Sequence, residues 1–246
     1  MNIRPRSSPH YTDQLTIHQL GCGTALPSLV LFDEALSHQR ALALILADYN
    51  ASVLHLVTLP NLLLVWALHH ARDAFSPAPP SESRTRGRQS GDHGDESGVE
   101  DADGELEISE ALLARFKSSL VEAKVQLSFV SGPWSPSFIK HLPTLSPTAP
   151  LLILAAETIY QPTSLPSFIA VLVALLQISP THARALIAAK KVYFGVGGGV
   201  EDFMRAMASA AVRIEDRGNT SRIEGCDASV GGGGVGRWIG EVTLSA

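Results

Sequence analysis

Short apolar runs alternate along the chain with longer segments of helical periodicity. The apolar runs predict strands, because each is short, rich in branched or aliphatic residues and bounded by polar or turn residues. Strands that alternate with helical patterns are typical of a largely parallel sheet with helices on both faces. The pattern therefore predicts a doubly wound α/β fold with strands at residues 15–20, 41–47, 125–130, 151–156, 184–189 and 236–244.

Three segments between these runs have the spacing of helices. Residues 50–71 form the longest, with Pro60 as an interruption. In the helical pattern over 109–124, Ser109 is placed as an N-cap, because a serine hydroxyl can accept a free backbone N–H at a helix start. The apolar run 167–178 is shorter than the roughly 20 residues that cross a bilayer, so it is interpreted as a buried helix.

Two polar segments interrupt this pattern. Residues 75–107 contain almost no large apolar side chains and are rich in Pro, Ser, Gly, Asp and Glu. Such a segment cannot bury enough apolar surface to offset its ordering entropy. We expect a disordered acidic insertion at 76–107 within a single domain over 1–246; a linker between two domains is the alternative. Residues 218–236 are interpreted as a shorter loop of the same kind.

Composition then narrows the class of protein. A chain of 246 residues with 45% hydrophobic content is ordinary for a globular protein. The net charge of −5 and the pI of about 6.0 argue against a chain that relies on a basic surface, so nucleic acid is not an expected partner. Cys22 and Cys226 suit a reduced intracellular compartment. We expect no membrane, no metal and a monomer, with His69 and His70 as the polar end of a helix rather than ligands.

The first strand leads into a glycine turn, and the second ends in an acid. Gly21 and Gly23 let the backbone turn sharply between strand and helix, and Asp48 can accept hydrogen bonds from a ribose diol. A dinucleotide favours a third glycine, which is absent here, whereas S-adenosylmethionine tolerates the shorter pattern. The motif favours S-adenosylmethionine, with a tight turn that holds no ligand as the alternative.

Six segments of the chain resemble one family in their order and spacing. They read "LGCGTALPSL", "LADYN", "TLPNLLL", "GPWS", "AAETIY" and "KKVYFGVGGGV". Together they resemble the histidine protein methyltransferases, a branch of the seven-strand, S-adenosylmethionine-dependent methyltransferases. The resemblance is greatest to the fungal enzymes that methylate a histidine of a large-subunit ribosomal protein. It implies a Rossmann-like class I fold, S-adenosylmethionine as cofactor, and a place in the cytoplasm and nucleus.

The resemblance also implies a cofactor site. Gly21, Cys22 and Gly23 would line the methionine part of the cofactor, Asp48 would hold the ribose hydroxyls, and Trp134 would lie near the adenine. Trp134 is equally readable as a core aromatic. Gln19 stands where the family usually has an acid, and it can accept a hydrogen bond but offers no full charge. Asn50 belongs to the same set, with helix capping as its alternative.

The implied catalytic residues follow the strand at 151–156. Glu157 would accept an N–H of the incoming imidazole, leaving the other ring nitrogen free to attack the sulfonium methyl. Tyr160 would be a supporting wall; helix capping by Glu157 is the alternative. The glycine loop would be a rim for a protein substrate, with Tyr193 as an apolar wall and Phe194, Gly197, Gly198 and Gly199 as substrate-binding residues. A turn that opens a helix at Val200 is the alternative.

Three other functions are weighed against histidine methylation. They are a lysine methyltransferase of the same superfamily, a non-catalytic binding module, and an NAD-linked oxidoreductase. About 14 residues precede the first strand, whereas family members carry a longer upstream segment with a tryptophan-acid motif. We therefore expect the usual N-terminal segment to be lacking, and this expectation together with Gln19 keeps the binding module in consideration.

Overall fold

The computed structural model describes residues 14–77, 104–143, 149–179, 181–195, 197–215, 219–228 and 236–245. Most of the expected disordered insertion, residues 78–103, lies outside the described residues. The strands are β1 Leu15–Leu20, β2 Leu42–Asp48, β3 Phe75–Pro77, β4 Gly104–Leu106, β5 Val125–Ser131, β6 Leu151–Ala156, β7 Ala183–Lys190, β8 Thr220–Ala228 and β9 Arg237–Ser245. All six predicted strands are present, with ends that differ by at most one residue.

Seven of these strands form one sheet in the order β5-β2-β1-β6-β7-β9-β8. The pairs β1–β2, β1–β6, β2–β5 and β6–β7 are parallel, whereas β9 runs antiparallel to both of its neighbours. The chain moves outward from β1 to one side and then returns to β6 on the other side. Open α/β sheets bind ligands at such a switch point, outside the carboxyl ends of the strands. The predicted Rossmann-like class I methyltransferase fold is confirmed.

Helices cover both faces of this sheet. They are α1 Leu26–Ser37, α2 Ala51–Val53, α3 Leu59–His70, α4 Glu110–Glu122, α5 Pro136–His141, α6 Leu165–Leu176 and α7 Val200–Glu215. One buried cluster lies under α1, α3 and α4, where Phe32, Trp66 and Phe116 make edge-to-face contacts. The other lies under α5, α6 and α7, where Phe168 and Phe203 are fully buried. The Ser109 cap is confirmed, since its hydroxyl accepts the N–H of Leu112.

The helical segment at 50–71 is continuous through its proline. A π-helical turn, Leu54–Thr58, joins α2 to α3 just before Pro60. Proline lacks an N–H and its ring crowds the carbonyl four residues back, so a wider turn there relieves the clash. Of the described helices, Ala51–His70 is long and apolar enough by composition to cross a membrane. The core helix of a soluble protein passes the same test; here 33% of the apolar window is buried, including Leu62 and Trp66, and the Trp66 ring packs on Phe116 of α4.

The prediction of a loop at 218–236 was wrong over Thr220–Ala228, which is the edge strand β8. Its side chains are mostly exposed and polar, so it has no apolar run to signal a strand. It is held by antiparallel pairing with β9, in which Gly225 lies opposite Gly240. The Trp238 ring occupies the space that a Cβ at either glycine would need. Gly225, one of the glycines that suggested a loop, is therefore a packing site in the sheet.

The predicted bounds of the disordered insertion, 76–107, were also wrong at both ends. Phe75–Pro77 and Gly104–Leu106 form a two-stranded antiparallel pair, with Phe75 opposite Leu106. Both of these side chains pack against the cluster under α1, α3 and α4. This pairing brings the two ends of the polar segment together, so the insertion begins after residue 77 and ends before residue 104.

Candidate active site

The turn after β1 is tied to the end of β2 by Asp48. One carboxylate oxygen, Oδ2, accepts the N–H of Gly23 at 3.0 Å, and the other, Oδ1, accepts the N–H of Asn50 at 3.1 Å. Asn50 precedes α2, but its side chain makes no capping hydrogen bond. Gly23 has a φ of 50°, and no atom lies within 4 Å of the place where a Cβ would stand. The backbone of this turn is therefore open on the side that faces away from the protein.

Gly21 is the point at which the first glycine turn meets the end of β6. It has a φ of 65°, and an added Cβ would lie 2.7 Å from Cγ2 of Thr158 and 4.0 Å from Cζ2 of Trp134. The Trp134 ring also packs edge-to-face on Phe138 and Phe168, with centroids 5.2 and 6.3 Å away. Trp134 is thus partly buried, packed against the edge of the core and close to the glycine turn.

Two buried polar atoms near this turn have no hydrogen-bond partner among the described residues. They are Oε1 of Gln19 and Oγ1 of Thr158. Gln19 is 1% exposed, and its Nε2 lies 3.5 Å from the carbonyl oxygen of Cys22. A buried acceptor or hydroxyl without a partner is costly unless something else pairs with it. Both atoms therefore mark the turn as a place where a polar ligand would be stabilised.

Cys22 does not present a reactive thiol to this site. Its side chain is buried, and Sγ lies 3.6 Å from Oγ1 of Thr58. Burial raises the pKa of the Cys22 thiol to about 11, so the thiol stays protonated near neutral pH. Within the turn, Cys22 therefore offers its backbone rather than its side chain.

Glu157 follows β6 in an unusual backbone conformation. Its φ is 57°, and its N–H donates to the carbonyl oxygen of Ala188 at 2.8 Å. Such a left-handed conformation at a non-glycine residue is uncommon and tends to occur at functional sites. The carboxylate accepts the hydroxyl of Tyr193 at Oε2 and lies 3.6 Å from Nη1 of Arg237 at Oε1. Helix capping, the alternative for Glu157, is not seen, because the next helix begins at Leu165.

The second glycine loop packs its backbone directly onto the segment after Glu157. A Cβ at Gly198 would overlap the carbonyl oxygen of Tyr160, and a Cβ at Gly199 would lie 2.5 Å from that of Lys191. A bridge between Val192 and Gly199 closes the loop on itself, just before α7 begins at Val200. These two glycines are therefore required by close packing, in addition to any role as a rim.

The aromatic side chains around this loop differ in exposure, and that of Tyr193 is the one that is partly buried. Phe194 is 81% exposed and Tyr160 is 43% exposed, so both present apolar surface to solvent. The Tyr193 ring lies 6.0 Å from that of Tyr160, between centroids, but its hydroxyl points at the Glu157 carboxylate. Tyr193 was predicted to be an apolar wall, and this was incomplete because its polar end makes the contact that matters for the site.

The structure thus brings the predicted site residues to one edge of the sheet. The first glycine turn, Asp48 and Trp134 lie at the ends of β1, β2 and β5, and Thr158 links them to Glu157 at the end of β6. Sequence analysis did not single out Thr158, because the segment "AAETIY" does not show that this residue contacts the first glycine turn. It missed Arg237 because this residue belongs to none of the six segments. His69 and His70 lie elsewhere, at the end of α3, where both approach Asp33. The described ranges contain no group of three or more His, Cys, Asp or Glu side chains arranged to hold a metal ion.

The chain was compared with family models and with solved structures. No protein-family model matches the chain. Two solved structures resemble it at a TM-score of 0.42: SMU.1697c from Streptococcus mutans in complex with SAH, 11% identical, and the methyltransferase domain of bacterial CtHen1, 12% identical. Each alignment covers 95% of this chain, and 90% and 91% of those chains. Likenesses this distant add no argument to the sheet order.

Two curated relatives carry the same name, Histidine protein methyltransferase 1. The Saccharomyces cerevisiae protein is 34% identical over 190 residues, which are 75% of this chain and 47% of the relative. The Schizosaccharomyces pombe protein is 32% identical over 189 residues, which are 76% of this chain and 47% of the relative. The chain spans about half the length of the curated relatives it matches. On this similarity and on its fold, the chain belongs to the histidine protein methyltransferase family.

Proposed function

We propose that this chain is an S-adenosylmethionine-dependent protein-histidine N-methyltransferase whose substrate is a large-subunit ribosomal protein. The single observation that carries the proposal is the placement of the Glu157 carboxylate. It is held in a strained backbone conformation at the end of β6, and its neighbour Thr158 touches the glycine turn at Gly21. A hydrogen-bond acceptor for the target and a turn suited to the cofactor therefore lie side by side at the switch point of the sheet.

The residues present fit S-adenosylmethionine. The open turn at Gly23 lets a ligand approach the backbone, and Asp48 retains lone pairs on both oxygens for a ribose diol, because each accepts one N–H. The unpartnered Oε1 of Gln19 is an acceptor for the ammonium of the methionine part. Gln19 can therefore replace the acid of other family members by a hydrogen bond rather than a charge. When bound, S-adenosylmethionine supplies an electrophilic methyl group on a sulfonium.

The contribution of the chain's own residues is positioning rather than strong base catalysis. A neutral imidazole has a lone pair on one ring nitrogen and an N–H on the other. Glu157 accepts that N–H, which aims the lone pair at the reacting carbon. Positive charge would develop on the ring as its nitrogen takes up the methyl group, and the Glu157 carboxylate beside it would stabilise that charge. The N–H proton would then leave through Glu157 to solvent.

The surroundings of Glu157 favour imidazole over lysine as the target. A lysine ammonium must lose a proton before it can attack, so a lysine enzyme needs a group that takes this proton. Burial, followed by the hydrogen bond to Glu157, raises the pKa of the Tyr193 hydroxyl well above its usual value, so Tyr193 is not a base. Arg237, whose Nη1 lies 3.6 Å from the carboxylate, disfavours the arrival of a protonated lysine, whereas imidazole arrives neutral.

Methyl transfer to ribosomal proteins tests the proposal. The purified chain is incubated with isotope-labelled S-adenosylmethionine and large ribosomal subunits from cells that lack the modification, and labelled peptides are sequenced by mass spectrometry. We expect one labelled histidine in one large-subunit protein. Label on lysine would favour a lysine methyltransferase. No label, with intact cofactor binding, would favour the non-catalytic binding module.

Cofactor affinity separates these outcomes. Asp48→Ala removes the acceptor for two backbone N–H groups and for the ribose, so we expect the Kd for S-adenosylmethionine to rise at least 10-fold in calorimetric titration, as loss of charged hydrogen bonds implies. Asp73→Ala is the matched control, since it removes an exposed carboxylate that pairs with Arg115 far from the turn. Equal affinities of the two variants for S-adenosylmethionine would show that Asp48 does not contribute to cofactor binding.

The proposal also covers the subcellular location and the oligomeric state of the chain. A large-subunit ribosomal protein is made in the cytoplasm and assembled in the nucleus, so an enzyme that modifies it belongs in either compartment. We propose that the chain acts there as a monomer, without direct contact to nucleic acid. Imaging of the tagged chain and light scattering of the purified chain test these two statements.

A further inference from the structure

The Tyr193 hydroxyl lies in a chain of hydrogen bonds that ends on the Glu157 carboxylate. It accepts the backbone N–H of Lys190, at the end of β7, at 3.1 Å, and it donates to Oε2 of Glu157 at 2.8 Å. Both the donor and the acceptor capacity of the hydroxyl are therefore used. A donor that is itself hydrogen-bonded to a rigid strand is fixed in direction, and the linked bonds strengthen one another.

The glycine loop is what aims Tyr193 inward. The N–H of Tyr193 donates to the carbonyl oxygen of Gly198 at 3.3 Å, and its own carbonyl oxygen accepts the N–H of Gly197 at 3.3 Å. Because Gly198 has no Cβ, the loop lies flat against the carbonyl oxygen of Tyr160. With the loop held in this conformation, the Tyr193 side chain reaches Glu157 after β6, whereas the next side chain, Phe194, faces solvent.

The two carboxylate oxygens of Glu157 consequently have different roles. Oε2 is occupied by Tyr193, whereas Oε1 accepts no hydrogen bond from the described residues and has Arg237 at ion-pair distance. The side chain is 42% exposed, so Oε1 is open to an incoming group. An N–H donor from a substrate can reach Oε1 without displacing the tyrosine.

We propose that Tyr193 is a positioning residue that locks Oε2 of Glu157, so that Oε1 alone receives the substrate imidazole and only one ring nitrogen is presented for methylation. This inference rests on the proposed function and goes beyond it, because it assigns the choice between the two ring nitrogens. With Oε2 unlocked, the carboxylate rotates and either oxygen can accept either ring N–H. The ring then binds in two orientations, and both nitrogens receive methyl groups.

The test is the ratio of the two methylhistidine isomers made by Tyr193→Phe. This variant keeps the ring and its packing on Tyr160 and removes only the hydroxyl. We expect kcat/KM on large ribosomal subunits that lack the modification to fall on the order of 10-fold or more, as for a lost hydrogen bond to a charged group. We expect the isomer ratio to shift from one product towards a mixture, and the Kd for S-adenosylmethionine to stay within about 2-fold of wild type.

Thr220→Val is the matched control. It also deletes one hydrogen-bonded hydroxyl, which pairs with Ser245 at the exposed edge of β8, and it should leave the rate and the isomer ratio unchanged. Gly198→Ala is a second route to the same effect, because its Cβ pushes the loop off Tyr160 while the Tyr193 hydroxyl is retained. It should mix the isomers as well. In a Glu157→Gln background, loss of the Tyr193 hydroxyl should cost less than in the wild type, since Tyr193 acts through the carboxylate.

Two failures are distinguishable. If the wild-type chain makes no methylhistidine, the proposed function fails, and the role of Tyr193 fails with it. If the wild type makes one isomer and folded Tyr193→Phe makes the same isomer at the same rate, the role of Tyr193 alone is overturned. A lower rate with an unchanged ratio also overturns it, because that result describes a residue that supports the fold rather than the orientation.

Discussion

His18 is a buried histidine that should make the protein sensitive to acid. It lies in β1 between Ile45 and Ile153 of the neighbouring strands, is 0% exposed, and neither ring nitrogen has a hydrogen-bond partner among the described residues. Burial lowers its pKa from the usual 6.5 to about 4, because an imidazolium in this apolar layer would lose its hydration. The folded protein therefore keeps His18 neutral where the unfolded chain would protonate it.

The sign and size of the effect follow from this difference. Between pH 6.5 and about 4 the unfolded state binds the extra proton, so the free energy of unfolding decreases as the pH falls through this window. Near pH 5 the loss attributable to His18 is about 2 kcal/mol, from 1.36 kcal/mol per pKa unit over about 1.5 units. Above pH 6.5 both states are neutral and the contribution disappears.

The assay is urea unfolding of the wild type and of His18→Leu, near pH 8 and near pH 5. Leucine fills a similar volume and cannot take a proton, so the variant should lose about 2 kcal/mol less stability on acidification than the wild type. His182→Gln, at an exposed histidine, is the matched control and should behave like the wild type. If His18→Leu and the wild type lose equal stability, His18 is protonated in the folded state or solvated there, and the reasoning is refuted.

Two further predictions concern a helix cap and the two thiols. Ser109→Ala removes the hydroxyl that accepts the N–H of Leu112, so the free energy of unfolding should decrease by about 1 kcal/mol in denaturant melts, and an unchanged value would contradict the cap. At mildly alkaline pH, iodoacetamide should label the exposed Cys226 and spare Cys22 in the native protein, because burial raises the pKa of the Cys22 thiol to about 11. Mass spectrometry of the digested protein measures the labelling of each cysteine, and equal labelling would contradict the burial of Cys22.

The buried part of the fold was predictable from the sequence. Strands such as β6 Leu151–Ala156 are covered on both faces, so they must be continuous apolar runs, and such runs are visible in one sequence. The edge strand β8 was missed because it is covered on little of its surface and has no such run. Its single glycine, Gly225, suggested a loop, although it makes room for the ring of Trp238.

The site was predictable only as far as short motifs reach. The glycine turn and Asp48 form a local strand-turn-helix pattern, and the resemblance supplied Glu157. The hydrogen bond between Tyr193 and Glu157 joins residues 36 positions apart. It depends on the conformation of the glycine loop, in which Gly198 packs on the carbonyl oxygen of Tyr160, and the sequence does not show this packing. Arg237 reaches Glu157 from β9, so its role follows from the sheet order and not from any spacing.

The central claim is that Glu157 orients an imidazole for methylation beside the glycine turn. Its most direct measurement is the fraction of transferred methyl groups recovered as methylhistidine after hydrolysis of the labelled substrate, for wild type, Glu157→Ala and the exposed control Glu122→Gln. We predict that nearly all label is methylhistidine in the wild type and in Glu122→Gln. Glu157→Ala should lose at least about 100-fold of the rate while it still binds cofactor. Label on another amino acid, or full activity in Glu157→Ala, would contradict the account.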